Sequence, residues 1–154
     1  TYENRFLGIS ILQPAGWQAY EDGGNTVYFQ PPLPLSKARV TITVAESDSN
    51  QTLLELSYSM RARYVQALKG VSIMNISEEN TTISGIPALL GLFVAEHDSD
   101  SGRASLYTRY YFLKKGNMYY IISFGSSPPA GAQDYEAKKY AEDFGRMAAS
   151  FRII

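Results

Sequence analysis

Ser105–Phe124, SLYTRYYFLKKGNMYYIISF, is the stretch that decides the fold. Two runs rich in aromatic and β-branched residues, Ser105–Lys114 and Met118–Phe124, read as strands. Between them lies Lys115-Gly116-Asn117-Met118, where Gly-Asn accommodates two positive φ angles and so predicts a tight hairpin. In Tyr119-Tyr120-Ile121-Ile122 both alternating faces are apolar. Such a strand belongs in the centre of a sheet, covered on both sides.

Working outward, further strands are expected at Gly8–Leu12, Thr26–Gln30, Val71–Ile76 and Ala88–Glu96. Another is marked by Val40, Ile42 and Val44 alternating with Thr41, Thr43 and Ala45. Two helices stand among them. Thr52-Leu53-Leu54-Glu55 is a capping box, and Leu53, Leu56, Met60, Tyr64 and Leu68 recur at helical spacing. Lys69-Gly70 predicts the end of this helix, a cation followed by a residue tolerant of left-handed φ. A second helix is expected from Asp134 to Ser150, with Ala137, Tyr140, Ala141, Phe144, Met147, Ala148 and Phe151 as its apolar stripe. Glu142 and Arg146 are spaced to pair on its outer face. Gly145 is costly inside a helix and predicts close packing against a sheet. Gly125–Gly131 reads as the loop before it.

Strands in hairpins with two helices, and no βαβ rhythm, predict an α+β domain. Its expected core is an antiparallel sheet of about six strands sandwiched between helices. The 154 residues are the size of one domain, expected to span 1–154, and 45% hydrophobic with 19% charged is ordinary for a globular chain. A net charge of −1 without a basic run argues against a nucleic-acid partner. The absence of cysteine excludes disulfides and thiolate chemistry. The longest apolar run, Ile86–Ala95, is about half a bilayer span and is interrupted by Pro87, so no transmembrane segment is expected. The opening at Thr1, without methionine, is what trimming of a secretion signal or lipid anchor leaves.

Few residues suggest chemistry. His97 is the sole histidine, and Asp98, Ser99, Asp100 and Ser101 follow it. A hydrolase needs nucleophile, base and acid converging in space, and these are neighbours in a turn. Asp98-Ser99-Asp100-Ser101-Gly102 departs from a calcium loop, with glycine at position five and Arg109 at twelve, so a polar turn is expected. No metal site and no cofactor is expected. Three formal glycosylation sequons begin at Asn50, Asn75 and Asn80, but Thr52 of the first already caps a helix. Trp17, after Pro14-Ala15-Gly16, either offers an aromatic face to a ligand or covers one edge of the core. Tyr107, Arg109 and Tyr111 alternate onto one face of their strand, opposite Leu106, Tyr110 and Phe112. An arginine flanked by two aromatics has the composition of a protein-binding surface, so these three either line a partly open face that binds a partner or lie under a helix with the tyrosine hydroxyls at the rim.

Five segments, in order, cover most of the chain: GISILQPAGW from Gly8, ARVTITVAES from Ala38, TTISGIPALLGLF from Thr81, YTRYYFLKKGNMYYIISF from Tyr107 and FGRMAASFRII from Phe144. Together they resemble the PsbP/Mog-like family of α/β/α sandwich domains. That group includes a photosystem II extrinsic subunit, a Ran-binding nuclear-import factor and bacterial lipoprotein or secreted domains. The resemblance implies a central antiparallel sheet with helices on both faces, and a role in binding proteins rather than in catalysis. It assigns no site residues here. The resulting expectation is a non-catalytic, extracytoplasmic or membrane-anchored accessory domain of bacterial type that binds a protein. The alternatives are a cytoplasmic chaperone or adaptor for apolar segments of secreted effectors, with an apolar groove at a homodimer interface, and a hydrolase using His97.

Overall fold

A computed structural model describes residues 1–32, 38–47, 50–128 and 135–154, with 135–137 as backbone only. Seven strands form one antiparallel sheet: β3 (Gln18–Glu21), β4 (Thr26–Gln30), β5 (Arg39–Glu46), β6 (Lys69–Ile83), β7 (Ile86–Ser99), β8 (Gly102–Lys115) and β9 (Met118–Ser126). Their order across the sheet is β3-β4-β5-β9-β8-β7-β6. Helix α1 (Leu53–Ala67) carries the chain from β5 to the far edge, and the β6–β9 meander then walks back until β9 pairs with β5. The Gly8–Leu12 strand lies elsewhere. As β2 (Ile9–Ile11) it pairs with β1 (Tyr2–Asn4) and β10 (Arg152–Ile153) in a small second sheet. The main sheet still has seven strands rather than about six, because Gln18–Glu21 adds an outer strand beside β4.

The added length lies mostly in β6. Its sequence Ser77-Glu78-Glu79-Asn80 has poor strand propensity, yet pairing with β7 continues through it to Ile83 and Ile86. An edge strand half in water tolerates such residues. The connection Ser84-Gly85 has φ of +52° and +77°, as a two-residue type I′ turn requires. At the β8–β9 tip only Gly116 is left-handed, with φ +62°. That turn is therefore of type II′ rather than one with two positive angles.

The capping box is formed: Glu55 N–H donates to Thr52 Oγ1 at 3.1 Å, and Thr52 N–H to Glu55 Oε2 at 3.2 Å. Lys69-Gly70 does not end α1. The helix stops at Ala67, Leu68 is extended, and Gly70, with φ +62°, lies at a register shift that opens β6. Helix α2 runs over Tyr135–Ser150; the expected start at Asp134 and the end of the Gly125–Gly131 loop lie outside the described residues, and Gly125 and Ser126 are strand. Tyr140, Phe144, Met147, Ala148 and Phe151 are buried. Ala141, one step off that stripe, is exposed. Gly145 is exposed too, and a Cβ there would meet nothing within 4 Å, so close packing does not account for it. Arg146 meets Asp143 at 3.8 Å rather than Glu142.

The sheet separates two cores. Under α1 lie Leu56, Leu89, Phe93, Ala95, Tyr110 and Phe112. Under α2 lie Val40, Ile42, Ile122, Phe124, Phe144 and Met147, joined by Ile9 and Ile11 of the small sheet. Strand β9, fourth of seven, contributes to both: Tyr120 and Ile122 to the α2 side, Tyr119 and Ile121 to the α1 side. Tyr110 ties α1 down. Its ring lies across Gly91, its partner on β7, and its hydroxyl meets Ser57 at 2.8 Å. Ser57 donates to Glu78 at 2.8 Å, and Arg61 completes the cluster with an ion pair to Glu78.

Two glycines should respond in opposite directions. Gly91→Ala would set a methyl on the Tyr110 ring and is expected to cost about 1–3 kcal/mol of stability. Gly145→Ala meets open space on a helix and is expected to add about 0.5–1 kcal/mol. Urea unfolding of the two variants beside wild type checks both signs.

Candidate functional site

The period-two alternation of β8 sends Tyr107, Arg109 and Tyr111 to the α2 side of the sheet. The structure does not keep the three together. Tyr111 tilts against Phe144 of α2, with ring centroids 5.8 Å apart, and is drawn toward the core. Tyr107 sets its edge on Phe124 at 6.4 Å, but also lines a shallow groove of about 230 Å³ with Arg109. The groove floor is Leu90 and Leu92, and its outer wall is Ser77 and Glu79 of β6. Across the sheet Arg109 stands between Leu92 of β7 and Phe124 of β9. Among the described residues its guanidinium has no hydrogen-bond or ion-pair partner, although the residue is half-buried.

A second cleft lies on the opposite face, where α1 leaves β5 and β9 uncovered. It measures about 270 Å³ and is lined by Arg39 and Thr41 of β5, Tyr64 of α1, Thr108 of β8, and Ser123 and Gly125 of β9, among others. Arg39 lies over the Tyr28 ring at 4.9 Å. Tyr64 stacks on Phe93 with centroids 6.2 Å apart, which fixes its ring. Burial pushes the Tyr64 phenol above its ordinary value against the smaller opposing pull of the Arg39 charge, so it stays a neutral donor at neutral pH. These positions are hard to find in sequence. Tyr64 reads as one more apolar-stripe residue, and Thr41 and Ser123 as ordinary strand alternation. The signal available is that alternation itself, with hydroxyl residues facing α1 and Val40, Ile42 and Phe124 facing α2.

The remaining candidates separate cleanly. Pro14-Ala15-Gly16-Trp17 is a turn closed by Trp17 N–H donating to the Pro14 carbonyl at 3.1 Å, with Gly16 at φ +81°. Trp17 is 4% exposed and sets its edge on Tyr140 at 5.5 Å, which is the core-covering role. His97 lies within β7 rather than in a loop, and among the described residues its ring meets only the Asp98 carbonyl, at 3.0 Å. No serine and carboxylate converge on it there. The Asp98–Gly102 segment is a hairpin end in which Ser99 pairs with Gly102 and Asp98 meets Arg103 at 2.9 Å. Among the described residues no group of three or more His, Asp or Glu side chains is arranged to hold a metal ion, and no helix is long and apolar enough to cross a membrane.

No protein-family model matches the chain, and no curated protein matches it. Solved structures do. The solution structure of cyanobacterial PsbP (CyanoP) from Synechocystis sp. PCC 6803 aligns with a TM-score of 0.62 at 16% identity, over 99% of this chain and 91% of that one. LpqN of Mycobacterium tuberculosis, involved in cell envelope biogenesis, aligns at 0.60 and 8% identity, over 93% and 81%. The Saccharomyces cerevisiae Ran-binding protein Mog1p aligns at 0.56 and 10% identity, over 95% and 90%. At such identities the likeness speaks for architecture alone. With its wide antiparallel sheet between two helices, the chain has the PsbP/Mog-like fold.

Proposed function

We propose that this chain is a non-catalytic, extracytoplasmic accessory domain that binds a protein partner through the groove holding Arg109. The observation that carries the reading is the half-buried guanidinium without a partner among the described residues, set between Leu92 and Tyr107. A charge so placed costs desolvation without a compensating contact among the described residues. A carboxylate or backbone carbonyl of a partner would supply that contact. Leu90 and Leu92 would bury an aliphatic side chain beside it. Arginine and tyrosine in a shallow, partly apolar groove form the kind of cluster on which interface energy concentrates. Two structures of the same fold bear on the reading: Mog1p is a Ran-binding protein, and LpqN is involved in cell envelope biogenesis.

The chaperone or adaptor reading has its own observation. Ile73, Met74 and Ile76 on edge strand β6 are 52%, 59% and 43% exposed, and Tyr58 and Val65 of α1 are exposed as well. Such a surface suits an apolar segment of another chain, or a second copy of this one.

A pull-down from source-cell lysate with solubilised membranes separates the two. Wild type is expected to retain an envelope protein that Arg109→Ala retains about tenfold less or worse, the loss typical of a central interface arginine. Equal recovery by both baits would remove the Arg109 groove from the reading. Equal recovery of apolar secreted proteins in particular would favour the β6 surface.

A further inference from the structure

The cleft on the α1 face has a composition that a purely structural surface does not need. Among the described residues Arg39 is its one charged lining residue, and no carboxylate lines it. Apart from its contact with the Tyr28 ring, the Arg39 guanidinium has no hydrogen-bond or ion-pair partner among the described residues, so its N–H fork is available. Thr108, at 3% exposure, is nearly enclosed, yet among the described residues its hydroxyl has no hydrogen-bond partner. The Tyr64, Thr41 and Ser123 hydroxyls are likewise without one among those residues. Buried polar groups are nearly always satisfied, and a group aimed into a cleft is satisfied by what fills the cleft.

The floor is open because residue 125 is glycine. Gly125 stands between Arg39 on β5 and Thr108 on β8 in one transverse row. Its φ is not left-handed, and a Cβ there would touch only the Tyr107 carbonyl, at 3.8 Å. The backbone does not require glycine at this position, and the residue lines the cleft.

We propose that this cleft binds a small ligand bearing an oxyanion, a carboxylate or a phosphate, held by the Arg39 fork, with the ligand's other polar atoms meeting the Tyr64, Thr108 and Ser123 hydroxyls. Among the described residues the lining is one positive charge with neutral donors and no carboxylate, which selects an acceptor-rich anion over a cation. The volume, about 270 Å³, suits a small metabolite rather than a lipid chain or a folded partner. The site lies across the sheet from the Arg109 groove and stands whether or not that groove binds a protein.

The test is an amide NMR titration of the whole chain with inorganic phosphate and, separately, with acetate. Sodium chloride serves as control at matched ionic strength. At least one oxyanion is expected to give saturating shifts at Gly125 and Thr108. Arg39→Gln should weaken that binding about tenfold or more, as loss of a charged hydrogen bond does. Arg39→Lys should restore part of it. Gly125→Leu should abolish it while the rest of the spectrum shows the folded chain. Response to phosphate alone or to acetate alone names the oxyanion, and either supports the site. No saturating shift beyond the chloride control overturns the proposal. Binding lost in Arg39→Gln but kept in Gly125→Leu also overturns it, because the anion would then sit on an exposed arginine outside the cleft.

Discussion

Everything described above depends on the pairing of β5 with β9. Eight residue pairs, from Arg39 and Gly125 to Glu46 and Met118, join the first part of the sheet to the returning β6–β9 meander. Without that seam the chain has two meanders, each with bare edges. With it, one sheet presents two faces, and the hydrophobic alternation of every strand has a helix or a neighbour to bury against. The seam also places Arg39 beside Gly125, in the row that β8 continues with Thr108. The cleft on the α1 face is therefore a product of a contact between residues about eighty positions apart in sequence.

The clefts lie where the helices leave the sheet uncovered. Each helix is narrower than a seven-stranded sheet. Helix α1 lies over β7 and β8, held by the Tyr110–Ser57–Glu78–Arg61 cluster, and leaves the hydroxyl-bearing face of β5 and β9 open. Helix α2 packs Phe144 and Met147 on the central strands and leaves Leu90, Leu92 and Arg109 partly open. The side chains follow this coverage. On the α1 face they are mainly aliphatic and aromatic under the helix, and mostly threonine, serine, tyrosine and arginine beyond it.

Local physics made much of this legible in the sequence. The β8–β9 hairpin, the capping box at Thr52 and the α2 stripe of Tyr140, Phe144, Met147, Ala148 and Phe151 rest on short-range rules that hold, although the turn at Gly116 and the exposed Ala141 depart from them. Misreadings occur where tertiary context overrides them. Strand β6 is longer than Val71–Ile76 because pairing with β7 carries Glu78 and Glu79 along. Gly145 reads as a packing glycine but faces solvent, whereas Gly91 has the packing role through a ring that lies nineteen residues away in sequence. Of the expected surface trio, alternation correctly puts Tyr107 and Arg109 on one face, but it cannot tell that α2 covers Tyr111. The Arg39–Tyr64–Thr108 cleft was invisible because its members come from β5, α1 and β8, and only the seam assembles them.

The two register shifts near the start of β6, between Lys69 and Ser72 and between Ile73 and Asn75, have a consequence for the molecule's behaviour at high concentration. An outer strand with Ile73, Met74 and Ile76 in water is a template for stacking chains end to end. Each shift breaks the even spacing of outward N–H and C=O groups and adds local twist, so an incoming flat strand finds few consecutive partners. Just beyond them the exposed Glu79 adds negative charge to the same edge. The irregularities that blur this strand in the sequence thus act as gatekeepers, keeping a sheet with an apolar border from growing into a fibre.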